Sequence, residues 1–479
     1  MKAIKYLVMG VLLTGFSATA NAQEAELQAA LSAIKSKAAN VAELAKTAYK
    51  KNKKNPEALV AIGRAFYEQK DTANARQFAE YANEAGKPKY QYAPAYLLLG
   101  DIESAYGTDG GKAAGFYNQA ITFDPKNPEG YKKWAMVYRK ISPTQAAKKL
   151  QDMKVNCPNE DIDAFTAHIY MLAGDEKQAY ENYKKADITK LDKGNLNEFA
   201  RASYFTGHFA DALKASEAGI KLVPRNPTFN RLAMFSNYEL KNYDAAKSYI
   251  NKYFNETDSA TFSEYDHYYT ALIYKALEDK AKAFEQFNKA LELVSDSSMI
   301  KRWDILKTLS DSHVDDNDFI NGIKRYKEFL GCKPNATMND FAGLANMYRK
   351  QAAAIDANLA NEEAKVALRN ADAAYEDLGN KFEDAKVYAY YMRANVNSSL
   401  DPTQKAGLAK PLFEKVVELL EPKADKDETD VSRLKTAYHY LMSYSFLQKN
   451  DKATAKTYAS KILAMDPNYA PAIQIRDLK

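Results

Sequence analysis

Histidine, cysteine and tryptophan are almost missing from this chain: five, two and two in 479 residues. His168, His208, His267, His313 and His439 stand far apart, with no HxxxH, HExxH or CxxC spacing, so metal-ligand patterns are excluded and no cofactor is implied. Glycine and proline are also scarce, 19 and 15 against 34 tyrosines, which excludes a turn-rich β protein and favours packed helices. Nor does one sign of charge dominate. The 67 basic and 62 acidic side chains leave a formal +5, too little to single out nucleic acid or an anionic membrane as a partner. The dense run Lys50, Lys51, Lys53 and Lys54 fits a solvated helix C-terminus, where cations complement the helix dipole.

Long apolar runs are lacking as well, apart from a short one at the start. Lys2 and Lys5 precede an apolar stretch from Tyr6 to Phe16, followed by the small-residue site Ala20-Asn21-Ala22, the layout of a secretory signal. The stretch is about half of the ~20 residues a spanning helix needs, so cleavage before Gln23 is expected and an anchor is not. No cysteine follows the site to accept a lipid, and no later segment is apolar enough for a transmembrane span. The expectation is an exported protein in the periplasm of a Gram-negative bacterium.

What the chain does have is a repeat. A small–aromatic–small pattern stands at Ala113-Tyr117-Ala120, Ala179-Tyr183-Ala186 and Ala283-Phe287-Ala290, with Ala75-Ala79-Ala82 in the same register, and its lead alanines continue through Ala147, Ala212 and Ala246 at steps of 38, 34, 32, 33, 34 and 37 residues. Upstream of each lies a second landmark: Gly63, Gly100, Ala135, Ala167, Ala200, Met234, Ala271, Ser310 and Ala345, at steps of 37, 35, 32, 33, 34, 37, 39 and 35. Two registers thus report one period near 34. A small side chain is needed where two helices cross closely, and an aromatic three residues later (Phe66, Tyr138, Tyr170, Tyr274) fills the space beside it. Pro125, Pro158, Pro224, Pro334 and Pro467 stop the helices that precede them.

These residues resemble the consensus of the tetratricopeptide repeat (TPR) family, with Ile62-Gly63, Leu99-Gly100 and Trp134-Ala135 at its Leu-Gly step. The resemblance covers roughly residues 56 to 470. It implies an all-α fold, a right-handed α-solenoid of about eleven helix pairs, some lengthened or degenerate. Residues 1–22 form the signal peptide, 23–55 an N-terminal helical cap, 56–335 the regular array, 336–470 lengthened or degenerate units and 471–479 a closing helix. After Ala345 the next triplet is Ala371-Tyr375-Leu378, which predicts a longer hairpin with its tip near Asp356 to Asn361.

Candidate chemistry is thin. Gly110-Gly111 lies in a loop with no strand before it and is no phosphate cradle. Asp315, Asp316 and Asp318 are followed by Phe319 and Ile320 where a calcium loop needs a ligand and glycine. Cys157 and Cys332 take one repeat position five repeats apart, tens of ångströms along a solenoid, which predicts free buried thiols and no disulfide. The chaperone-type carboxylate clamp implied by some TPR proteins is missing, because Lys132 is followed four residues on by Met136 and Lys307 by Asp311.

The resemblance places Arg201, Tyr204, Arg231, Phe235, Tyr238, Tyr268 and Lys275 on the concave groove. A basic and aromatic stripe there suits an extended or helical peptide, through stacking and charge-assisted hydrogen bonds. The resulting expectation is a non-enzymatic protein–protein scaffold whose partner is a protein or peptide of the cell envelope, with peripheral association to outer-membrane proteins. The alternative is a glycan-binding accessory in outer-membrane nutrient capture, because aromatic platforms also bind sugars.

Overall fold

The computed structural model describes residues 18–158, 162–258 and 260–478. Among them the chain forms helices and connecting turns, with no strand. It packs as two compact units, residues 1–260 and 261–479.

The first unit opens with the pair α1 (Ala18–Ser36) and α2 (Val41–Asn52). Six hairpins follow: α3 (Pro56–Glu68) with α4 (Thr72–Ala85), α5 (Ala93–Tyr106) with α6 (Gly110–Phe123), and α7 (Pro128–Tyr138) with α8 (Pro143–Asn156). Then come α9 (Asp163–Ala173) with α10 (Glu176–Tyr183), α11 (Lys193–Phe205) with α12 (Phe209–Leu222), and α13 (Pro227–Glu239) with α14 (Tyr243–Asn251). A π-helical turn, Lys252–Glu256, prolongs α14.

Five hairpins make the second unit: α15 (Glu264–Ala276) with α16 (Lys280–Leu293), α17 (Arg302–Asp315) with α18 (Phe319–Cys332), and α19 (Met338–Ile355) with α20 (Glu362–Lys381). They continue as α21 (Lys386–Leu400) with α22 (Lys410–Leu420) and α23 (Glu428–Leu447) with α24 (Lys452–Met465), closed by α25 (Ala470–Arg476). Eleven pairs are therefore described from α3 to α24, and within each unit the helices pack mainly on their chain neighbours. Such nearest-neighbour packing defines an α-solenoid.

Local chemistry sets the boundaries. In Pro125-Lys126-Asn127-Pro128 and Pro224-Arg225-Asn226-Pro227, the first proline follows a finished helix. The asparagine then caps the next one through its side chain, and the second proline takes the first helical position. Second helices start on Asp71, Asp175, Asp279, Asp318 and Asp451, each accepting a backbone N–H three residues on. Asp109 caps α6 by accepting from the Gly111 N–H two residues on, so Gly110 and Gly111 are its first residues and not a free loop.

Both landmarks sit at helix crossings. Ala75, Ala113, Ala135, Ala167, Ala179, Ala200 and Ala212 are fully buried. A Cβ at Gly63 would meet Leu98 Cδ2 at 2.8 Å and the Ala75 carbonyl at 3.1 Å, so any larger residue here must push Leu98 aside and widen the crossing. In the second unit Ala371, Tyr375 and Leu378 are likewise buried, and the long hairpin turns at residues 356–361, where the apolar pattern fades.

Cys157 and Cys332 are both free thiols. Cys157 is buried, its Sγ directed at the Pro125 and Lys126 carbonyls. Cys332 is only half-buried, unlike the expectation, because it ends α18 and one side of it faces the following turn.

Candidate binding surface

The first helices of successive hairpins lie side by side, so equivalent residues form rows across them. The row immediately after the small landmark carries four polar residues in the first unit, Arg64, Asp101, His168 and Arg201, beside Met136 and Phe235. Three of these first helices are tied together at Asp101, which is 8% exposed. Its carboxylate accepts from the Tyr117 hydroxyl at 2.9 Å and from Lys133 Nζ at 2.7 Å, and lies 3.5 Å from Arg64. Burial, reinforced by that carboxylate, pushes the Tyr117 hydroxyl far above the ordinary tyrosine range, so it stays a donor.

Beside this hub opens a cleft of about 690 Å3, lined by Tyr67, Asp101, Lys133, Arg139, Lys140 and Ile141, among others. Tyr67 meets Tyr106 edge-on, with centroids 6.0 Å apart, at one wall. Glu103 is already held by Arg76 at 2.5 Å and Lys133 is spent on Asp101, so the cleft keeps a cationic excess from Arg139 and Lys140. Ile141 is 60% exposed at its mouth. Anionic and apolar groups of a ligand would both find partners here.

A second cleft, about 410 Å3, lies further along at α9 and α11. His168 Nδ1 is 2.9 Å from both oxygens of Glu198, and the Tyr183 hydroxyl donates to the same carboxylate at 2.6 Å. Burial and that bond raise the Tyr183 hydroxyl well above its usual range. His168 therefore serves as part of a polar clasp between neighbouring first helices. His313 instead stacks on Phe284, with centroids 4.3 Å apart, as a packing residue.

Five of the seven expected groove residues belong to the first unit. Arg201 is exposed and makes no ion pair or hydrogen bond among the described residues. Arg231, on the next first helix, is half-buried with its guanidinium 5.2 Å from the Phe235 ring centre. Tyr204 and Phe235, however, are 7% and 2% exposed, with their rings 5.9 Å apart. They are packing residues and offer no open face for stacking, because the neighbouring hairpin covers them. Tyr238 is half-buried, 5.9 Å from Tyr243.

Tyr268 and Lys275 belong to the second unit. Tyr268 lies 3.2 Å from the Thr308 hydroxyl and lines a shallow groove of about 490 Å3 with Tyr265, Met299, Asp304 and Lys307. Lys275 pairs with Asp315 at 3.6 Å, which offsets its charge. Asp316 is taken by Lys280 at 2.5 Å, and Asp318 caps α18 while meeting His313, so the acidic cluster is spent on packing.

The residues missed from sequence are Arg64, Asp101, Lys133, Arg139, Lys140 and Glu198. The signal for the first two was present, because each directly follows a landmark glycine. No described helix is long and apolar enough to cross a membrane.

No protein-family model matches the chain, and no curated protein does. Among solved structures it is similar to the C-terminal part of a TPR repeat-containing protein from Cytophaga hutchinsonii, at 21% identity and TM-score 0.41, over 59% of this chain and 100% of that one. It is also similar to a tetratricopeptide repeat protein from Parabacteroides merdae, at 16% identity and TM-score 0.33, over 54% and 98%. A third is pilF of Pseudomonas aeruginosa, at 16% identity and TM-score 0.33, over 43% and 93%. Successive helix hairpins with buried small residues at their crossings, six in the first unit and five in the second, make each unit an all-α array of the solenoid kind.

Proposed function

We propose that the chain is a non-enzymatic scaffold that holds a peptide or protein partner on the first-helix face of its first unit. The observation that carries this reading is the cleft of about 690 Å3 beside Asp101, where a fixed polar hub is flanked by surplus lysine and arginine and by exposed Ile141. A partner segment with acidic and apolar side chains fits that lining. We place the protein in the periplasm of a Gram-negative bacterium, serving a cell-envelope partner. The support is the signal pattern of residues 1–22, of which 1–17 lie outside the described residues.

Mass spectrometry of the exported protein should give Gln23 as its first residue. Recovery of the uncleaved chain firmly held in membranes would overturn the export reading. For the surface, Lys140→Glu combined with Arg201→Glu changes two exposed residues and should move stability by less than about 0.5 kcal/mol. Crosslinking in intact envelopes should then lose the partner captured by the unaltered protein. Unchanged capture by a folded double variant, or capture of glycan and no protein, would sink the reading.

A further inference from the structure

Tyrosine and arginine converge a second time, on four helices of the second unit. The Arg433 guanidinium of α23 stands 5.8 Å from the ring centres of both Tyr388 and Tyr391. These two tyrosines are three residues apart on α21 and so share one helix face. Tyr388 in turn meets the Tyr375 ring of α20 edge-on, with centroids 6.1 Å apart. Tyr375 is fully buried, and its hydroxyl donates to Asn346 Oδ1 of α19 at 2.7 Å. One turn beyond Asn346 is Arg349, which is exposed. Burial raises the Tyr375 hydroxyl to about 12, and Arg349 acts against that rise, so the guanidinium lies beside the hydroxyl. Arg349, Tyr375, Tyr388, Arg433 and Tyr391 are thus one continuous chain of neighbours.

Neither arginine has an ion pair or hydrogen-bonded carboxylate among the described residues. Several carboxylates on and beside these helices are engaged elsewhere. Asp372 and Glu376 are taken by Arg393 at 3.1 and 2.6 Å, Glu383 by Lys386 at 2.7 Å, and Asp430 by Lys423. Seven residues beyond Tyr391 on the same face of α21, the Ser398 hydroxyl is buried with no hydrogen-bond partner in the structure. Two guanidinium groups with no close ion-pair partner among the described residues, Arg433 feeling Asp430 only at longer range, and an unused hydroxyl therefore share a stripe whose rings are already in place.

A guanidinium stacked against a tyrosine keeps its N–H edges free for a planar acceptor and loses little freedom on binding one. A carboxylate matches that geometry with two parallel hydrogen bonds. A sugar does not, because the faces of Tyr388 and Tyr391 that would carry it are turned to Arg433. We propose that Arg349 and Arg433, framed by Tyr375, Tyr388 and Tyr391, dock an extended acidic segment of a protein partner. The site rests on the scaffold reading in kind but uses a different surface from the first-unit cleft.

The probe is fluorescein-labelled hexaglutamate, with hexaglutamine as its uncharged control, read by fluorescence anisotropy on the full chain. Hexaglutamate should bind, weaken with added salt, and lose roughly tenfold or more in affinity in Arg349→Gln/Arg433→Gln. Arg433→Lys should also lose affinity, because a lysine cannot offer the planar fork. Should the half-buried Arg433 change disturb folding, judged by circular dichroism, Arg349→Gln alone carries the test, since that side chain is exposed. Equal binding of hexaglutamine, no binding of hexaglutamate, or undiminished binding by the arginine variants overturns the site. Lys140→Glu/Arg201→Glu should leave hexaglutamate affinity unchanged. If that variant abolishes binding while the arginine variants keep it, the acidic probe belongs to the first unit and the proposal fails without harming the first reading.

Discussion

Gly100 shows how tightly one position can be set. A Cβ added there would collide with the Tyr117 ring, the same ring whose hydroxyl holds Asp101 at 2.9 Å. Gly100→Ala should therefore cost about 1–3 kcal/mol, the usual range for overpacking, measured by urea unfolding. An alanine variant as stable as the parent would show that the crossing can widen freely. The same residue explains what was legible and what was not. The need for a small side chain at Gly63 and Gly100 followed from spacing alone, and Arg64 and Asp101 were readable as the residues next to them. The burial of Tyr204 and Phe235 was not, because whether a ring on a first helix faces solvent depends on how closely the next hairpin covers it. Spacing fixes the direction of a side chain but not that depth.

At the level of single helices, the strongest local signals were the caps. The prolines expected to stop helices are followed by Asn caps in two turns, and Asp residues cap many of the second helices. Asp340, in the first turn of α19, accepts from the Thr337 N–H at 2.8 Å, its hydroxyl at 3.0 Å and Lys333 Nζ at 2.8 Å. Burial pushes the Asp340 carboxyl up, but Lys333 and Thr337 outweigh it and hold the pKa below the ordinary aspartate value. A carboxylate depressed in the folded state adds stability above its unfolded pKa, and that contribution fades as pH falls through the folded value. Asp340→Ala should thus cost about 1–2 kcal/mol at neutral pH. The gap to the parent should shrink as the pH is lowered from about 5 toward 3. Urea midpoints that differ equally at neutral and acid pH would assign the loss to packing and not to charge.

Across the molecule, the repeat was visible in the sequence while the division into two units was not. The period runs through residue 260 without a break in its landmarks: Met234 and Ala271 are 37 residues apart, as are Gly63 and Gly100. The boundary falls shortly after the π-helical end of α14, a feature that the apolar period does not record. Each unit nevertheless owns complete cores. Clusters around Leu59, Leu98 and Phe66, and around Leu150 and Met153, lie within the first. Those around Phe287, Leu309 and Tyr375, and around Phe413 and Leu441, lie within the second. A solenoid's stability is close to a sum over neighbouring repeats, and two hundred or so residues is ample for an independent core. Residues 23–260 and 261–479 should therefore fold when produced separately, each helical by circular dichroism with its own cooperative urea transition. The second fragment alone should bind hexaglutamate as the full chain does, and the first alone should retain the envelope partner. A fragment that stays unfolded would mean that stability passes through the junction at residue 260, and that the two surfaces are not separable.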